Sequence, residues 1–325
     1  MCSIRWRYEE EGYSEEAASL IVSSWRPETQ TAYNHYIALW KGFASKNSIN
    51  LSCPLPLEVA NFLAHLFKEG ASYTAVNTAR SALSAFLPLY NDRSVGSHPD
   101  VCRIIKGVFE ERPALPKYRE TWDVNTVLDY FDSQPAISDM SLKQLTLRMC
   151  KLLALLTGQR GQALHLLKVE DLKMQETKCT IFFSEKHKQS RHGVHTEPAE
   201  ILAFNSNPNL CLVKHLKRYL EQTKNMRSSN QLLISYEKPH VPVVRQTFSR
   251  WVKCVLAEAG IDTCKYASHS TYAASCSASV ESGVSLGTTL KSAGWSSDRT
   301  FTKFYKRLTE RNFGQLVLDG FLKNN

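Results

Sequence analysis

The chain has 325 residues, 43% of them apolar and 22% charged, enough for two domains that each bury a core. No stretch of eighteen consecutive apolar residues occurs and the opening MCSIRWRYEEEGYSEEAAS has no apolar centre, which argues against a membrane span or a secretion signal and predicts an intracellular protein. Forty Lys and Arg against thirty-one Asp and Glu leave a net +9, a balance that suits a polyanionic partner without naming it.

In chain order, residues 14–109 read as four or five short helices with no convincing strand. SEEAASLIVSSW begins on a Ser14 cap. RPETQTAYNHYIALWKGFASKN places Pro27 in the first turn and Tyr33, Tyr36, Ile37, Trp40 and Phe43 at three-to-four spacing. PLEVANFLAHLFKEG closes on Gly70; SYTAVNTARSALSAFLPLY and HPDVCRIIKGVFEER follow. ERPALPKYRETWD, residues 111–123, has two prolines and mixed charge and reads as an extended linker.

Beyond it, VNTVLDYFDSQ and SLKQLTLRMCKLLALLTG are helical. CTIFFS, residues 179–184, is β-branched and aromatic, KHKQSRHGVHTE is a polar turn, and PAEILAF reads as a returning strand. LCLVKHLKRYLEQTKNM and RQTFSRWVKCVLAEAG resume the helices around a short apolar LLISY. The nine cysteines are scattered, odd in number and never spaced CxxC, which predicts reduced, mostly buried thiols; His192-Gly-Val-His195 stands alone, and no metal or other cofactor is expected.

Arg160 directly follows the apolar helix that stops at Gly158. A guanidinium projecting from such a junction either pairs with an acid, such as Glu170, or holds two oxygens of a phosphate, which a lysine cannot do. The segments WRPETQTAY, YTAVNTARSALSAF, RPALPKYRETWDV, TGQRGQAL, HSTYAASCSAS and AGWSSDRTFTKFYKR, taken in order over most of the chain, resemble the tyrosine recombinases, which include phage integrases, Xer and Cre proteins. The resemblance in style is greatest to the recombinases of DIRS- and Crypton-type mobile elements.

The resemblance implies a mainly α protein: an N-terminal helical, SAM-like core-binding domain over 1–110, the linker, and a mostly α catalytic domain over 124–325 with a small antiparallel β-hairpin sheet, the DNA breaking-rejoining fold. It implies site-specific recombination or integration, in which a tyrosine hydroxyl attacks a phosphodiester and leaves a 3′-phosphotyrosyl bond and a free 5′-hydroxyl. Tyr305 takes the nucleophile's place and Arg160 that of the first arginine. The lysine that protonates the leaving oxygen is Lys188 or Lys186; Lys188 is preferred because KQSR sits where relatives hold a lysine, a polar residue, Ser or Thr, and arginine. His269 takes the histidine position and Trp295 the second His/Trp position, where an indole N–H donates to a phosphate oxygen. One position departs: the second arginine, three residues after the histidine, is Tyr272, neutral near pH 7 and unable to clamp two oxygens. The alternative to a weakened enzyme is a recombinase-derived protein that binds DNA and no longer cuts it.

The resemblance further implies a C-shaped clamp on double-stranded DNA. Arg26, Thr29 and Tyr33 open one helix of the first domain, and Tyr73, Thr74, Asn77 and Arg80 line a face of another. Lys117 and Arg119 of the linker cross the backbone, and Arg245, Gln246, Arg250 and Lys253 fall in helical register in the second domain. The tail LTERNFGQLVLDGFLKNN forms an amphipathic helix, with Phe313, Leu316, Val317 and Phe321 on one side, for a tetramer on paired DNA sites. In a eukaryotic cell the expected location is the nucleus.

Overall fold

A computed structural model describes residues 3–51, 53–114, 120–185 and 197–292. Lys117, Arg119, Lys186, Lys188, Trp295, Tyr305 and the tail helix expected after it lie outside the described residues. The chain divides into two compact units, Met1–Leu115 and Pro116–Asn325.

The first unit is helical: α1 (Ser3–Glu10), α2 (Glu15–Ser23), α3 (Pro27–Lys46), α4 (Pro56–Lys68), α5 (Tyr73–Phe86) and α6 (Pro99–Glu111). The caps follow from the sequence. Ser14 accepts from the Ala17 N–H, Ser72 from the Ala75 N–H, and Pro27 fills the first turn of α3, where a missing N–H costs nothing. The apolar faces meet around Trp40, Phe62, Leu63, Val76 and Leu83. The sequence reading starts its helices at residue 14 and misses α1, whose SIRWRYEE carries mostly polar and charged residues. It is held instead by Ile4, which is fully buried, and by Arg7, which donates to the Ala85 carbonyl at 3.0 Å.

The second unit is built on α8 (Leu142–Thr157), packed by α7 (Val124–Asp132), α9 (Gly161–Leu164), α10 (Leu212–Thr223), α11 (Arg245–Glu258), α12 (Ser270–Glu281) and α13 (Leu286–Ser292). Every residue from Leu145 to Leu155 of α8 is buried, the signature of a helix surrounded on all sides. A small antiparallel sheet, β1 (Leu172–Met174), β2 (Lys178–Ile181) and β3 (Ala199–Leu202), runs in sequence order. Its pairings, Leu172 with Ile181 and Ile181 with Ala199, put Cys179 and Ile181 into the core and leave the β2–β3 connection to carry the expected lysines. Among the described residues no helix is long and apolar enough to cross a membrane, and no cluster of His, Cys, Asp and Glu could hold a metal ion.

One residue of the expected linker behaves differently. Trp122 is 4% exposed, belongs to the core of the second unit, and donates through Nε1 to Ser270 Oγ at 2.9 Å. Composition alone hid this, because the surrounding prolines and charges are indeed loop-like. The thiols divide as the sequence suggests only in part: Cys150, Cys179, Cys211 and Cys276 are buried, whereas Cys53, Cys254 and Cys264 are exposed.

His215 on α10 is fully buried. Its Nδ1 lies 2.9 Å from the Cys211 carbonyl, which fixes Nδ1 as the donor and leaves Nε2 bare. Burial, helped by the charge of Arg148 and opposed by the Cys211 carbonyl, pushes the imidazole down to about 4. Between about 4 and the ordinary value near 6.5 the unfolded chain binds a proton that the folded chain refuses, so stability falls as pH falls through that window. The shift corresponds to roughly 3 kcal/mol at most. Urea unfolding at pH 7 and pH 4.5 is expected to show this loss in the parent and its near disappearance in His215→Leu.

Candidate functional site

The site begins where α8 ends. Thr157 Oγ1 donates back to the Leu153 carbonyl at 2.7 Å, and Gly158 stops the helix with φ 58°, a left-handed conformation glycine adopts without a Cβ penalty. Gln159 is 2% exposed and donates through Nε2 to the Ser292 carbonyl at the end of α13 at 2.6 Å. Arg160 then caps α9 in extended backbone. At Gly161 a Cβ would lie 3.1 Å from the Phe248 ring, so the next residue is small because α11 packs against it. The turn is thus tied on two sides before the half-buried Arg160 side chain emerges.

Facing it is the start of α12. His269, the residue before the helix, is exposed, while Ser270, Thr271 and Tyr272 are buried. Arg160 and His269 line one cavity of about 330 Å³ together with Tyr272, Arg245, Gln162 and Ser268. The structure therefore brings together three of the seven catalytic positions read from the sequence: Arg160, His269 and Tyr272. Lys186, Lys188, Trp295 and Tyr305 are not described.

Tyr272 lines the cavity without bringing a charge to it. It is 5% exposed, packs with Cys276, Val280 and Leu290, and its ring lies 5.1 Å beneath the Arg160 guanidinium. A cation over an aromatic face is attracted by the ring quadrupole, so Tyr272 steadies Arg160 rather than adding charge. The neighbouring Cys276 thiol is pushed up to about 12 by burial, the Arg160 charge opposing that rise.

Behind the cavity is a polar layer that the sequence gave no sign of. Lys151, on the third turn of α8, is fully buried. Its Nζ donates to Thr271 Oγ1 at 2.8 Å and sits 4.4 Å from the Trp122 ring centroid. Trp122 in turn donates to Ser270 Oγ, which donates to the Ala267 carbonyl at 2.7 Å. α8 and Trp122 thus hold the first turn of α12 and, through it, His269 and Tyr272. No carboxylate among the described residues pairs with Lys151, and burial drives its amine well below the ordinary lysine value.

The DNA-binding candidates take varied positions. In the second unit Arg245, Gln246, Arg250 and Lys253 are all exposed on α11, whose other side is buried through Phe248, Trp251, Val252 and Val255. In the first unit Thr74 is exposed and Arg26, Thr29 and Asn77 are half-buried. Tyr33 stands 6.3 Å from Trp25, Tyr73 packs edge-on against Phe109 at 5.2 Å, and Arg80 donates to the Gly96 carbonyl at 3.4 Å. These three side chains are partly engaged in packing the unit that the sequence reading assigned to contact with a partner.

Lys151→Met tests the buried layer. Between the depressed folded value and the ordinary value near 10.4, the unfolded chain binds one more proton, so Lys151 makes stability climb with pH by about 1.4 kcal/mol per unit. In denaturant titrations the parent is expected to show that climb on the alkaline side, up to the ordinary lysine value, and the variant to lose it.

The Phage integrase family profile matches residues 123–311. Among solved structures, the chain is similar to XerH site-specific recombinase bound to palindromic difH substrate in a post-cleavage complex, at 14% identity and a TM-score of 0.61, over 91% of this chain and 80% of that one. It is similar to the Tn1549 transposon integrase in complex with transposon right end DNA, at 13% identity and a TM-score of 0.60, over the whole of both chains. A fragment of lambda integrase, a dimer bound to a COC′ core site, matches at 18% identity and a TM-score of 0.51 over 92% of this chain and 95% of that one. Among curated proteins no relative matches the sequence. At such identities the structures speak for the fold, and the family profile, which spans more than half of the 325 residues, speaks for descent. A mostly helical unit with a three-stranded sheet, an arginine at the end of its central helix and a histidine opposite belongs, with this match, to the phage integrase family of tyrosine recombinases.

Proposed function

We propose that the chain breaks and rejoins DNA strands at specific sites through a 3′-phosphotyrosyl intermediate. The observation that carries the reading is the meeting of Arg160 and His269 in one cavity, from segments more than one hundred residues apart, within a chain of this family. The Tyr305 hydroxyl oxygen attacks phosphorus; a bond forms between them, and the bond from phosphorus to the 5′-oxygen breaks. The hydroxyl proton passes to His269, and Lys188, or Lys186, gives a proton to the departing oxygen. Arg160 holds non-bridging oxygens as charge develops. Because the phosphoester energy is kept in the new bond, the reverse reaction rejoins the strand.

The protein acts on duplex DNA as an oligomer on paired sites, with α11 presenting Gln246, Arg250 and Lys253 to the duplex. Three observations support this part of the reading: the exposed basic face of α11, the net charge of +9, and the DNA-bound dimers and tetramers seen among lambda integrase structures. An origin in a mobile element fits the similarity to the Tn1549 integrase.

A second reading, a DNA-binding protein without strand cleavage, is favoured by one observation, the neutral Tyr272 at the second arginine's position. Losing one charged donor of this type costs about 10²–10³ in rate.

The test uses a duplex recovered by binding selection from a random-sequence pool, nicked at successive positions so that cleavage releases a short fragment and traps the protein. The first reading expects a covalent adduct that survives denaturation, vanishes in Tyr305→Phe and falls about 10²–10³-fold in Arg160→Ala, with duplex binding retained in both. Salt-sensitive binding without adduct in the parent, and adduct in Tyr272→Arg, would establish the second.

A further inference from the structure

Building on the reading of this cavity as the phosphate site, the unanswered question is where a second positive charge comes from. Position 272 cannot supply it: its side chain is packed among Cys276, Val280 and Leu290 and lies beneath Arg160. Another residue lining the same cavity can. Arg245 is the first residue of α11, is exposed, and lines the same cavity as Arg160 and His269. Phe248, one turn on, packs against Gly161 and so brings the start of α11 up to the residue next to Arg160.

The local sequence offers no internal use for that guanidinium. A basic residue at the first position of a helix opposes the macrodipole, and the first turn of α11 holds no acidic residue to offset it. Among the described residues no carboxylate forms an ion pair with Arg245. Its charge is felt on the α9 side of the cavity: His165, which is pushed down first by burial, is pushed down further by Arg245. The Nδ1 of that same histidine lies 3.2 Å from the Gly161 carbonyl. Arg160, Arg245 and His269 line one cavity of about 330 Å³, room for a phosphodiester and its flanking sugar oxygens.

We infer that Arg245 supplies the second guanidinium to the phosphate that Arg160 holds, from the start of α11 on the same cavity. The charge that Tyr272 does not provide is therefore delivered from α11, and the N-terminal end of that helix faces the scissile phosphate while Gln246, Arg250 and Lys253 serve the rest of the duplex.

The test measures binding and does not depend on cleavage. The full chain is titrated with the selected duplex carrying a single neutral methylphosphonate, moved one phosphate at a time along each strand. Neutralising the phosphate held by Arg160 weakens the parent roughly tenfold or more and weakens Arg160→Gln several-fold less. Arg245→Gln is expected to lose a comparable part of its sensitivity at that same phosphate, Arg160→Gln/Arg245→Gln to lose nearly all of it, and Arg245→Lys to keep most of it. If Arg160 registers at one phosphate and Arg245 at another, or at none, the inference is overturned while the reading of the site stands. If no phosphate responds to Arg160→Gln, the site reading falls and the inference falls with it. Because Arg245 is exposed at a helix start, the glutamine variant is expected to unfold in denaturant like the parent, which separates loss of contact from loss of fold.

Discussion

The second unit depends on the burial of α8. A helix with no solvent face must be satisfied on every side, and each neighbour it recruits places part of the site. Its C-terminal glycine releases Arg160, α11 packs along it and brings Phe248 to Gly161, and Lys151 reaches from its third turn to Thr271. Desolvating an amine without a carboxylate partner is costly, and the cost is tolerated here because the amine both donates to a hydroxyl and rests on an indole face. The same helix buries a second cation, Arg148, which donates to the Pro135 carbonyl at 3.3 Å and lies 5.6 Å from the Phe131 ring; burial lowers it to about 10. His215 is kept neutral chiefly by its own burial, with the Arg148 charge adding to that effect.

Much of this was legible in the sequence. The helices of the first unit from α2 onward follow from Ser14, Pro27 and apolar spacing, and β2 and β3 follow from apolar runs on either side of a polar turn, whereas β1, Leu172–Met174, is too short and mixed to read as a strand and is fixed by its pairing with β2. Arg160, His269 and Tyr272 were found by their order among family segments, and the fold brings all three to one cavity. What could not be read was tertiary. Nothing in ERPALPKYRETWD marks Trp122 as a core residue, because its partner Ser270 lies far along the chain. Lys151 looks like an ordinary charged residue on an amphipathic helix until the helix is seen to have no outer face. α1 was missed for the opposite reason: its own pattern is weak and its contacts with α5 hold it.

Tyr272 shows how one residue reads differently at the two levels. In the sequence it is a missing cation. In the fold it is a buried aromatic that fixes the arginine above it, so the position has a structural use of its own. Replacing that aromatic would empty part of a small apolar cluster and remove the ring beneath the Arg160 guanidinium.

The division of the thiols has a chemical corollary. Burial raises Cys179 to about 11 and Cys276 to about 12, which keeps both sulfurs protonated and poor nucleophiles at neutral pH. Oxidants and alkylating reagents therefore meet Cys53, Cys254 and Cys264 first. Cys254 adjoins Lys253 on the exposed side of α11, so redox damage would mark that basic surface long before it loosened the interior.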